Sequence, residues 1–582
     1  MPRINAKIAV FPRKLRFCLI LLVYLLVTPY GLSQSSLLSQ ERGIVRYEFQ
    51  VDKEGSTLVN IVYSTSLDQG SAWILVPKFS RWVNTTLNGK ITEWSLRDSY
   101  EIAGFSNPFY EAFCFSFKSY GGGFEINIRY NHSLAAMIIE PNGIFFSPQI
   151  GFEKGNKVEI TVLLPKEFII KQDEAVAFGL FSTYRPSFVD RSRNLLSFNN
   201  IPETENLLRV EIGFKTKNQS ANLVKLHSGI FTFETAQRYV EYARRILRFY
   251  NQIYDDLVDL FNVKLENAQV RFFLPEFDSL LSIGGYVPFA SKKLGDIHIN
   301  IIYVRAVEGQ IEVIALHELV HHFLWKAGVS PENLLWFHEG MAQYVSIEIC
   351  SKLGYEGAIL IKQQMEARIL EVKKNFKDDF SFLQKWSPHR SPEDIGSCYV
   401  AAYYITRELA KQRGGLEYYR HFFKLLGDER IENNAELAYY LSLAAGESIA
   451  DALNTWGFNV PDLYSYSSLL DEVKMLLEKV NRIFEPYRSL AEALYRSAMF
   501  NANQENKDRM RLYLTLAVLI AKLAPLLTLM TASMLIYCLL LWLLKTKKVF
   551  LNQDFQSVTY VSQRYSSQSR IGFSHENPSL SR

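Results

Sequence analysis

The chain has 582 residues, of which 48% are hydrophobic and 14% aromatic, with 64 basic and 60 acidic side chains. This length exceeds what one hydrophobic core usually organises, so it predicts two or three domains, and the composition excludes a largely disordered chain. A formal net charge of +4 gives no electrostatic reason to expect a nucleic-acid partner, so that class of function is set aside.

The first 33 residues have the pattern of a secretory signal peptide. Basic residues up to Arg16 precede an apolar run at residues 17–27, which is too short to span a bilayer stably. The small residues Gly31 and Ser33 suit cleavage before Gln34, and an uncleaved anchor is the alternative. The pattern predicts that the mature chain is exported.

Residues 34–220 are predicted to form an antiparallel β-sandwich-like domain. Short runs of alternating polarity are separated by turn residues, among them three consecutive glycines at 121–123. The runs are residues 44–51, 57–63, 72–77, 124–130, 158–164 and 207–214. No catalytic motif occurs in this region, so we expect a structural or substrate-positioning role.

A second domain is predicted at residues 221–460. Residues 235–261 carry aromatic and aliphatic side chains at helical spacing, and two strand candidates follow at 268–274 and 297–304 before a series of helices. Cys350 and Cys398 either form a disulfide or are free buried thiols. Residues 461–511 are helical in pattern and charged, which predicts a stalk that leads to a membrane.

The apolar segment at residues 512–545, with its core at 524–544, predicts a single C-terminal transmembrane helix. Lys522 and Pro525 interrupt it, so residues 512–525 could be an interfacial helix whose lysine reaches the membrane surface, and a two-span hairpin is an alternative. The lysines after residue 544, together with the signal peptide, predict a cytoplasmic C-terminus. The composition of residues 546–582 predicts a disordered tail.

Residues 317–321 read His-Glu-Leu-Val-His inside a predicted helix at 311–327. Histidines four apart lie on one helix face, so His317 and His321 can bind the same Zn²⁺. Glu318 lies beside that face, where it can act as a general base toward water and later pass the proton to the leaving amine. The alternative is a pair of histidines that belong to the hydrophobic core.

Two histidines and a water leave a tetrahedral zinc site one protein ligand short. Leu324 and Ala327 occupy the positions at which a metzincin has glycine and histidine, which excludes that class. Glu339, in the run Trp-Phe-His-Glu-Gly at residues 336–340, is the predicted third ligand. His322 and His338 are competing ligands, although adjacent helical residues diverge by about 100°, so only one of residues 338 and 339 can aim at the metal.

These two motifs together resemble the gluzincin signature, and residues 223–457 are similar to the aminopeptidase N family and its peptidase MA-like relatives. The resemblance implies a thermolysin-like zinc peptidase domain of mixed sheet plus helices, with one Zn²⁺ per chain held by His317, His321 and Glu339. It also implies that Tyr399 hydrogen-bonds the oxyanion of the tetrahedral intermediate. Tyr403 and Tyr404 lie on the same predicted helix, so a core position for Tyr399 is the alternative.

The chain departs from the aminopeptidase N pattern in two places. Seventeen residues separate His321 from Glu339, where that family has one more. The family's strand whose glutamate binds a free amino group has only Gly-Gly-Tyr-Val-Pro, at residues 284–288, as its counterpart, without a carboxylate. Aminopeptidase and endopeptidase activity therefore both stay open.

The sequence as a whole predicts an α+β multidomain protein of the cell membrane. It would be single-pass, with an extracellular zinc metallopeptidase domain that acts on peptide or protein substrates and a membrane contact through its C-terminal helix. The alternative is a non-catalytic cell-surface binding or adhesion protein, but a scaffold would have no use for the general base Glu318.

Overall fold

The structure is a computed structural model that describes residues 43–565, apart from 105–106, 219, 291–292, 391 and 503–506. The predicted signal peptide and residues 566–582 lie outside the described residues. The contacts between residues divide the chain into two compact units, with the boundary between Glu432 and Asn433. The predicted domain boundaries at 220 and 460 stay predictions.

The N-terminal part of the first unit is rich in β-sheet. Its strands are β1 Ile44–Val51, β2 Thr57–Thr65, β3 Gln69–Pro77, β4 Trp82–Asn88, β5 Lys90–Asp98, β6 Tyr110–Lys118, β7 Phe124–His132, β8 Ala136–Ile139, β9 Asn142–Phe146, β10 Ile150–Gly151, β11 Lys157–Leu163, β12 Ile169–Phe178, β13 Thr183–Tyr184, β14 Phe188–Asp190, β15 Leu195–Phe198 and β16 Leu207–Lys215. A short helix, α1 Ser99–Ala103, follows β5.

These strands form three sheets around one core. The orders are β14-β15-β11-β1-β2-β7-β4, β13-β12-β16-β9-β8 with β10 beside β16, and β3-β6-β5. Buried and more exposed side chains alternate along the strands, which gives each sheet one face toward the core. In β1, Val45, Tyr47 and Phe49 point inward, whereas the residues between them do not. They share a buried cluster with Phe113 of β6 and Ile212 of β16, so side chains from all three sheets pack together.

The prediction of a purely antiparallel domain is wrong at one pair of strands. β1 and β11 run parallel, with Val45 opposite Val158 and Phe49 opposite Val162. More than a hundred residues and nine other strands separate them along the chain, so no hairpin imposes the antiparallel direction on this pair.

The second part of the first unit begins with a mixed five-stranded sheet. Its strands are β17 Leu223–Ser228, β18 Phe231–Ala236, β19 Ala268–Phe273, β20 Gly285–Tyr286 and β23 Ile297–Asn300, in the order β17-β18-β19-β23-β20, and a two-stranded hairpin comprises β21 Phe289–Ala290 and β22 Lys293–Leu294. β18, β19 and β23 are mutually parallel, whereas β17 and β20 are antiparallel edge strands. The first unit also contains α2 Val240–Phe261, α3 Gln310–Lys326, α4 Pro331–Lys352, α5 Glu356–Phe376, α6 Ile395–Lys411 and α7 Leu416–Leu426.

Buried polar contacts join this part to the sheet-rich part. The Tyr239 hydroxyl accepts from the backbone N–H of Ile138 at 2.7 Å, and the Arg305 guanidinium donates to the Phe146 carbonyl at 2.7 Å. Arg305 is partly buried, and loss of solvent around its guanidinium lowers its pKa to about 10. The two parts therefore form one unit.

The second unit is helical and comprises α8 Asn434–Ala445, α9 Ala450–Thr455, α10 Ser467–Lys479, α11 Tyr487–Ala502 and α12 Lys507–Tyr565. α12 passes through Pro525 without a turn, so no hairpin forms. Its segment Asp508–Lys547 is long and apolar enough to cross a membrane. Lys522, which could reach a membrane surface if residues 512–525 were an interfacial helix, pairs with Glu472 of α10 at 2.6 Å.

The structure also bears on the predicted C-terminal tail and on the two cysteines of the second predicted domain. Residues 546–565, assigned by composition to a disordered tail, continue α12, because each residue added to an existing helix gains a hydrogen bond without a new nucleation cost. Cys350 and Cys398 are free thiols, both buried, so the disulfide is absent.

Candidate metal centre

α3 carries both histidines of the predicted zinc motif. The helix spans Gln310–Lys326, one residue earlier at each end than predicted, and its apolar side chains are buried on nearly all sides. Leu316, Leu319 and Val320 have no exposed surface, so the helix is fixed within the unit by packing. His317 and His321 therefore project from a rigid element.

α4 carries the predicted third ligand. Its first turn begins with Pro331, and the Ser330 hydroxyl caps it by accepting from the backbone N–H of Glu332. At Leu334 the backbone leaves helical geometry, with φ −125° and ψ 33°, so the part of α4 that contains Glu339 takes its own direction. Glu339 is buried to all but 9% of its surface.

Gly340 brings α4 close to α6. A Cβ atom at this position would lie 2.6 Å from the Ala402 carbonyl oxygen and would also meet the Thr406 hydroxyl. Only glycine permits this approach, because the carbonyl belongs to the backbone of a packed helix and cannot move aside. Because α4 and α6 lie so close together here, Tyr399, one turn before Ala402 on α6, lies beside Glu339.

The side chains of His317, His321 and Glu339 converge. Their ligand atoms all lie within 4.8 Å of one another. The Glu339 Oε2 atom is 3.0 Å from His317 Nε2 and 3.6 Å from His321 Nε2. The structure therefore brings together the three residues that the sequence predicts as metal ligands, from two separate helices.

The donor set fits zinc in type and spacing. Two imidazole nitrogens and one carboxylate oxygen are common zinc ligands, and a tetrahedron with bonds of roughly 2.0–2.1 Å has edges of about 3.3 Å. The two measured separations from Glu339 Oε2 lie on either side of that edge length. A small shift of side chains would seat one ion.

The pKa values of Glu339 and His321 are shifted in opposite directions because each group stabilises the charged form of the other. Burial alone would raise the pKa of Glu339, but His321 and His317 outweigh it and hold that pKa well below its usual range. Burial likewise opposes the charged form of His321, but the Glu339 carboxylate raises the pKa of His321 above its ordinary value. Both shifts show that the site favours positive charge beside the Glu339 carboxylate, and a divalent cation would supply that charge when it displaces the proton from His321 Nε2.

Glu318 lies beside the cluster on α3 with 5% of its surface exposed. Burial raises its pKa to about 7, although His317 and His321 act in the opposite direction. The edge strand β20 faces it, since a Cβ atom on Gly285 would stand 2.8 Å from Glu318 Oε1. A carboxyl group with this pKa can accept and release a proton near neutral pH.

Tyr399 also lies at the site. Its phenol hydrogen-bonds Glu339, and its pKa is well above the ordinary value because of burial, with the Glu339 and Glu318 carboxylates adding to the effect. The ring packs edge-on against Trp386, with centroids 5.1 Å apart. Tyr403, considered as a sign that this stripe is only core, packs away from the cluster beside Arg407.

Both ring nitrogens of His338 are engaged in hydrogen bonds, so neither is available to a metal. Its Nε2 atom is 3.0 Å from the Val329 carbonyl, which can only accept, so this nitrogen carries the proton. Burial lowers the pKa of His338 to about 3, so the ring is neutral and its Nδ1 accepts from His321 Nδ1 at 3.2 Å. His321 then carries its proton on Nδ1 and presents the Nε2 lone pair to the cluster.

The two competing ligands therefore stay outside the donor group. His338 uses both ring nitrogens elsewhere, and His322 is not part of the potential metal-binding group found among the described residues. The sequence analysis missed His338 as a partner of His321 and Gly285 as the neighbour of Glu318. Only the role of His338 had a signal in the sequence: it is adjacent to Glu339 on one helix, so its side chain cannot point in the same direction as that of Glu339.

Comparisons with known proteins add little. No family model matches the chain, and no curated protein matches its sequence. Among solved structures, native yeast LTA4 hydrolase aligns over 75% of this chain and 72% of that one, with 11% sequence identity and a TM-score of 0.28. This likeness is too low to indicate a shared function.

Proposed function

We propose that the protein is a membrane-anchored, extracellular zinc metallopeptidase. The observation that supports this most is the convergence of His317, His321 and Glu339 with a buried, proton-accepting Glu318 at their side. Metal ligands alone would suit a structural site, but a structural site has no need for a general base. The adhesion-protein alternative leaves Glu318 unexplained.

In this proposal His317, His321 and Glu339 hold the metal. A bound zinc ion would supply Lewis-acid chemistry, lowering the pKa of a water molecule and polarising the scissile carbonyl. Glu318 takes the proton from the attacking water and passes it to the departing amine. Tyr399 donates its phenol hydrogen bond to the substrate oxygen as negative charge develops there.

β20 offers a way to position the substrate. It is an edge strand of the five-stranded sheet, and Gly285 lies beside Glu318. An extended peptide that adds to this edge by backbone hydrogen bonds would carry its scissile bond past the general base. Because residues 284–288 include no carboxylate, nothing in this strand restricts the substrate to a free amino end.

The membrane part of the proposal rests on two segments. α12 contains a stretch of sufficient length and apolarity to span a bilayer, and the N-terminal sequence has the pattern of an export signal. Export of the N-terminal part would place the catalytic unit outside the cell and the C-terminus in the cytoplasm.

The test is a comparison of the full chain with Glu318→Gln, both in detergent. Gln is isosteric and leaves all three ligands in place, so we expect unchanged zinc content with peptide hydrolysis reduced on the order of 10²- to 10⁴-fold. Glu308→Gln, which alters an exposed carboxylate just before α3, is the matched control and should keep full activity. Equal hydrolysis by Glu318→Gln and the parent chain would contradict the mechanism.

The same assay addresses the substrate. Peptides with free and with blocked amino ends are hydrolysed alike by an endopeptidase, whereas an aminopeptidase requires the free end.

A further inference from the structure

We propose that the loop between α10 and α11, residues 480–486, inserts Ile483 into the lipid surface of the membrane that α12 spans. The inference rests on the proposed membrane anchoring and concerns only the second unit. It assigns a second, peripheral membrane contact to the chain, in addition to the spanning helix.

The packing of α11 against α12 sets the height of this loop. The two helices pack against each other, and only four residues connect them, so they run antiparallel. Tyr487 lies about fifteen residues before the connection and Lys522 about as far after it, which is roughly 22 Å along either helix. The start of α11 is therefore level with residue 522 of α12.

Two direct contacts agree with this placement. Lys522 Nζ is 2.6 Å from Glu472 Oε1, so α10 passes α12 at the same height. The 3₁₀ turn Arg482–Phe484 at the centre of the loop itself packs against α12. The 480–486 loop thus lies at or just beyond residue 522, on the side toward the C-terminal half of α12.

The burial of α12 changes at this level. Leu514, Ala517 and Ala524 are buried against the other helices of the unit, whereas Leu526 is 53% exposed and the large apolar side chains from Leu529 to Leu544 are exposed as well. A helix whose apolar side chains are exposed on all sides suits lipid and not water. The lipid boundary therefore lies near residues 524–526, where the loop is.

The side chains of the loop suit that position. Ile483 is 74% exposed at the tip of the turn. A single exposed isoleucine is ordinary on a soluble surface, but the turn that carries Ile483 packs against α12, whose large apolar side chains are exposed from Leu526 onward. Arg482 beside it is exposed, and its aliphatic stem can follow Ile483 inward while the guanidinium stays among lipid phosphates. Glu485 lies at the α11 end of the loop, where one oxygen of its carboxylate accepts from the hydroxyl and the backbone N–H of Ser489, which holds the side chain toward α11.

The test uses the full chain in phosphatidylcholine vesicles, with a polarity-sensitive fluorophore attached to Ile483→Cys. Cys18, Cys114 and Cys538 are first changed to serine, whereas Cys350 and Cys398 are buried and can stay. Arg496→Cys is the matched control, because its side chain is 76% exposed on α11 but lies far from the loop. Arg482→Cys provides a second position in the loop.

We expect labels at 483 and 482 to shift to the blue and to lose fluorescence when the vesicles contain lipids spin-labelled near the headgroup, with no change at 496. Water-like, unquenched emission at 483 and 482 from chains that float with the vesicles would overturn the loop contact and leave the anchor intact. Chains that fail to float would overturn both. Peptide hydrolysis should be unchanged in every variant, so neither result bears on the catalytic proposal.

Discussion

At the scale of single residues, the site depends on which nitrogen of His321 carries its proton. The Val329 carbonyl fixes the proton of His338, and the unprotonated nitrogen of His338 then fixes the proton of His321. This chain of hydrogen bonds leaves His321 Nε2 free for a metal. Second partners of this kind orient a ligand and raise its basicity.

Replacing His338 should therefore weaken metal binding without removing a ligand. We expect His338→Ala to lower zinc affinity by about 10- to 100-fold, measured by competition with a chromophoric chelator. His338→Asn, whose amide oxygen can still accept from His321, should recover part of the loss. Unchanged affinity in His338→Ala would show that His321 needs no such partner.

The convergence of the candidate ligands could be predicted from the sequence, but the hydrogen bonds that orient His321 could not. His317 and His321 are one turn apart on one helix, so their convergence is a local property of the chain. The role of His338 depends on where the carbonyl of Val329 lies, in the short connection between α3 and α4. That position follows from tertiary packing, which no spacing in the sequence encodes.

At the scale of elements, the contact between β20 and α3 holds Glu318 at the edge of the sheet. A Cβ atom at residue 285 would stand 2.8 Å from both Glu318 Oε1 and the His298 carbonyl oxygen, and the latter cannot yield. At residue 284 a Cβ atom would meet only the end of the flexible Ile314 side chain, at 3.2 Å. The two neighbouring glycines therefore offer a matched comparison.

We expect Gly285→Ala to displace Glu318 and to leave the zinc content unchanged. Because a loss of about 1.4 kcal/mol of transition-state stabilisation lowers a rate tenfold, kcat should fall at least tenfold. Gly284→Ala should keep close to full activity. Steady-state hydrolysis and metal analysis of both variants measure the difference. Similar kcat in the two variants would mean that β20 does not position the general base.

Sequence patterns predicted some elements closely and missed others for identifiable reasons. β1 lies at the predicted residues because its alternation is complete. β4 and β5 were missed because they are edge strands with mostly exposed, polar side chains. The predicted strand at 297–304 ends at Asn300, whose side chain accepts from the backbone N–H of Ile302 and starts a 3₁₀ turn.

At the scale of the whole molecule, the burial of α12 differs along its length. Its first part completes the helical unit, with Leu514, Ala517 and Ala521 buried and Lys522 paired to Glu472. Its second part is exposed and apolar. The sequence analysis gave an apolar segment at residues 512–545 with its core at 524–544, and composition alone does not tell which apolar side chains of this segment pack against other helices.

A chain shortened to end after Ala524 should therefore be more stable than one that ends after Arg511. The shorter chain loses the buried side chains of α12, and Leu514 alone contributes about 2 kcal/mol. We expect a lower thermal midpoint and faster proteolysis of residues 433–511, both measured in detergent. Equal midpoints would indicate that the unit is complete without α12.

The central claim is that His317, His321 and Glu339 bind one zinc ion. The most direct measurement is anomalous diffraction at the zinc edge from crystals of the zinc-loaded protein. We predict a single strong peak within coordination distance of His317 Nε2, His321 Nε2 and a Glu339 carboxylate oxygen, with His338 beyond reach. A peak bound by His322 or His338 in place of Glu339, or no peak at α3 in crystals that contain zinc, would contradict the account.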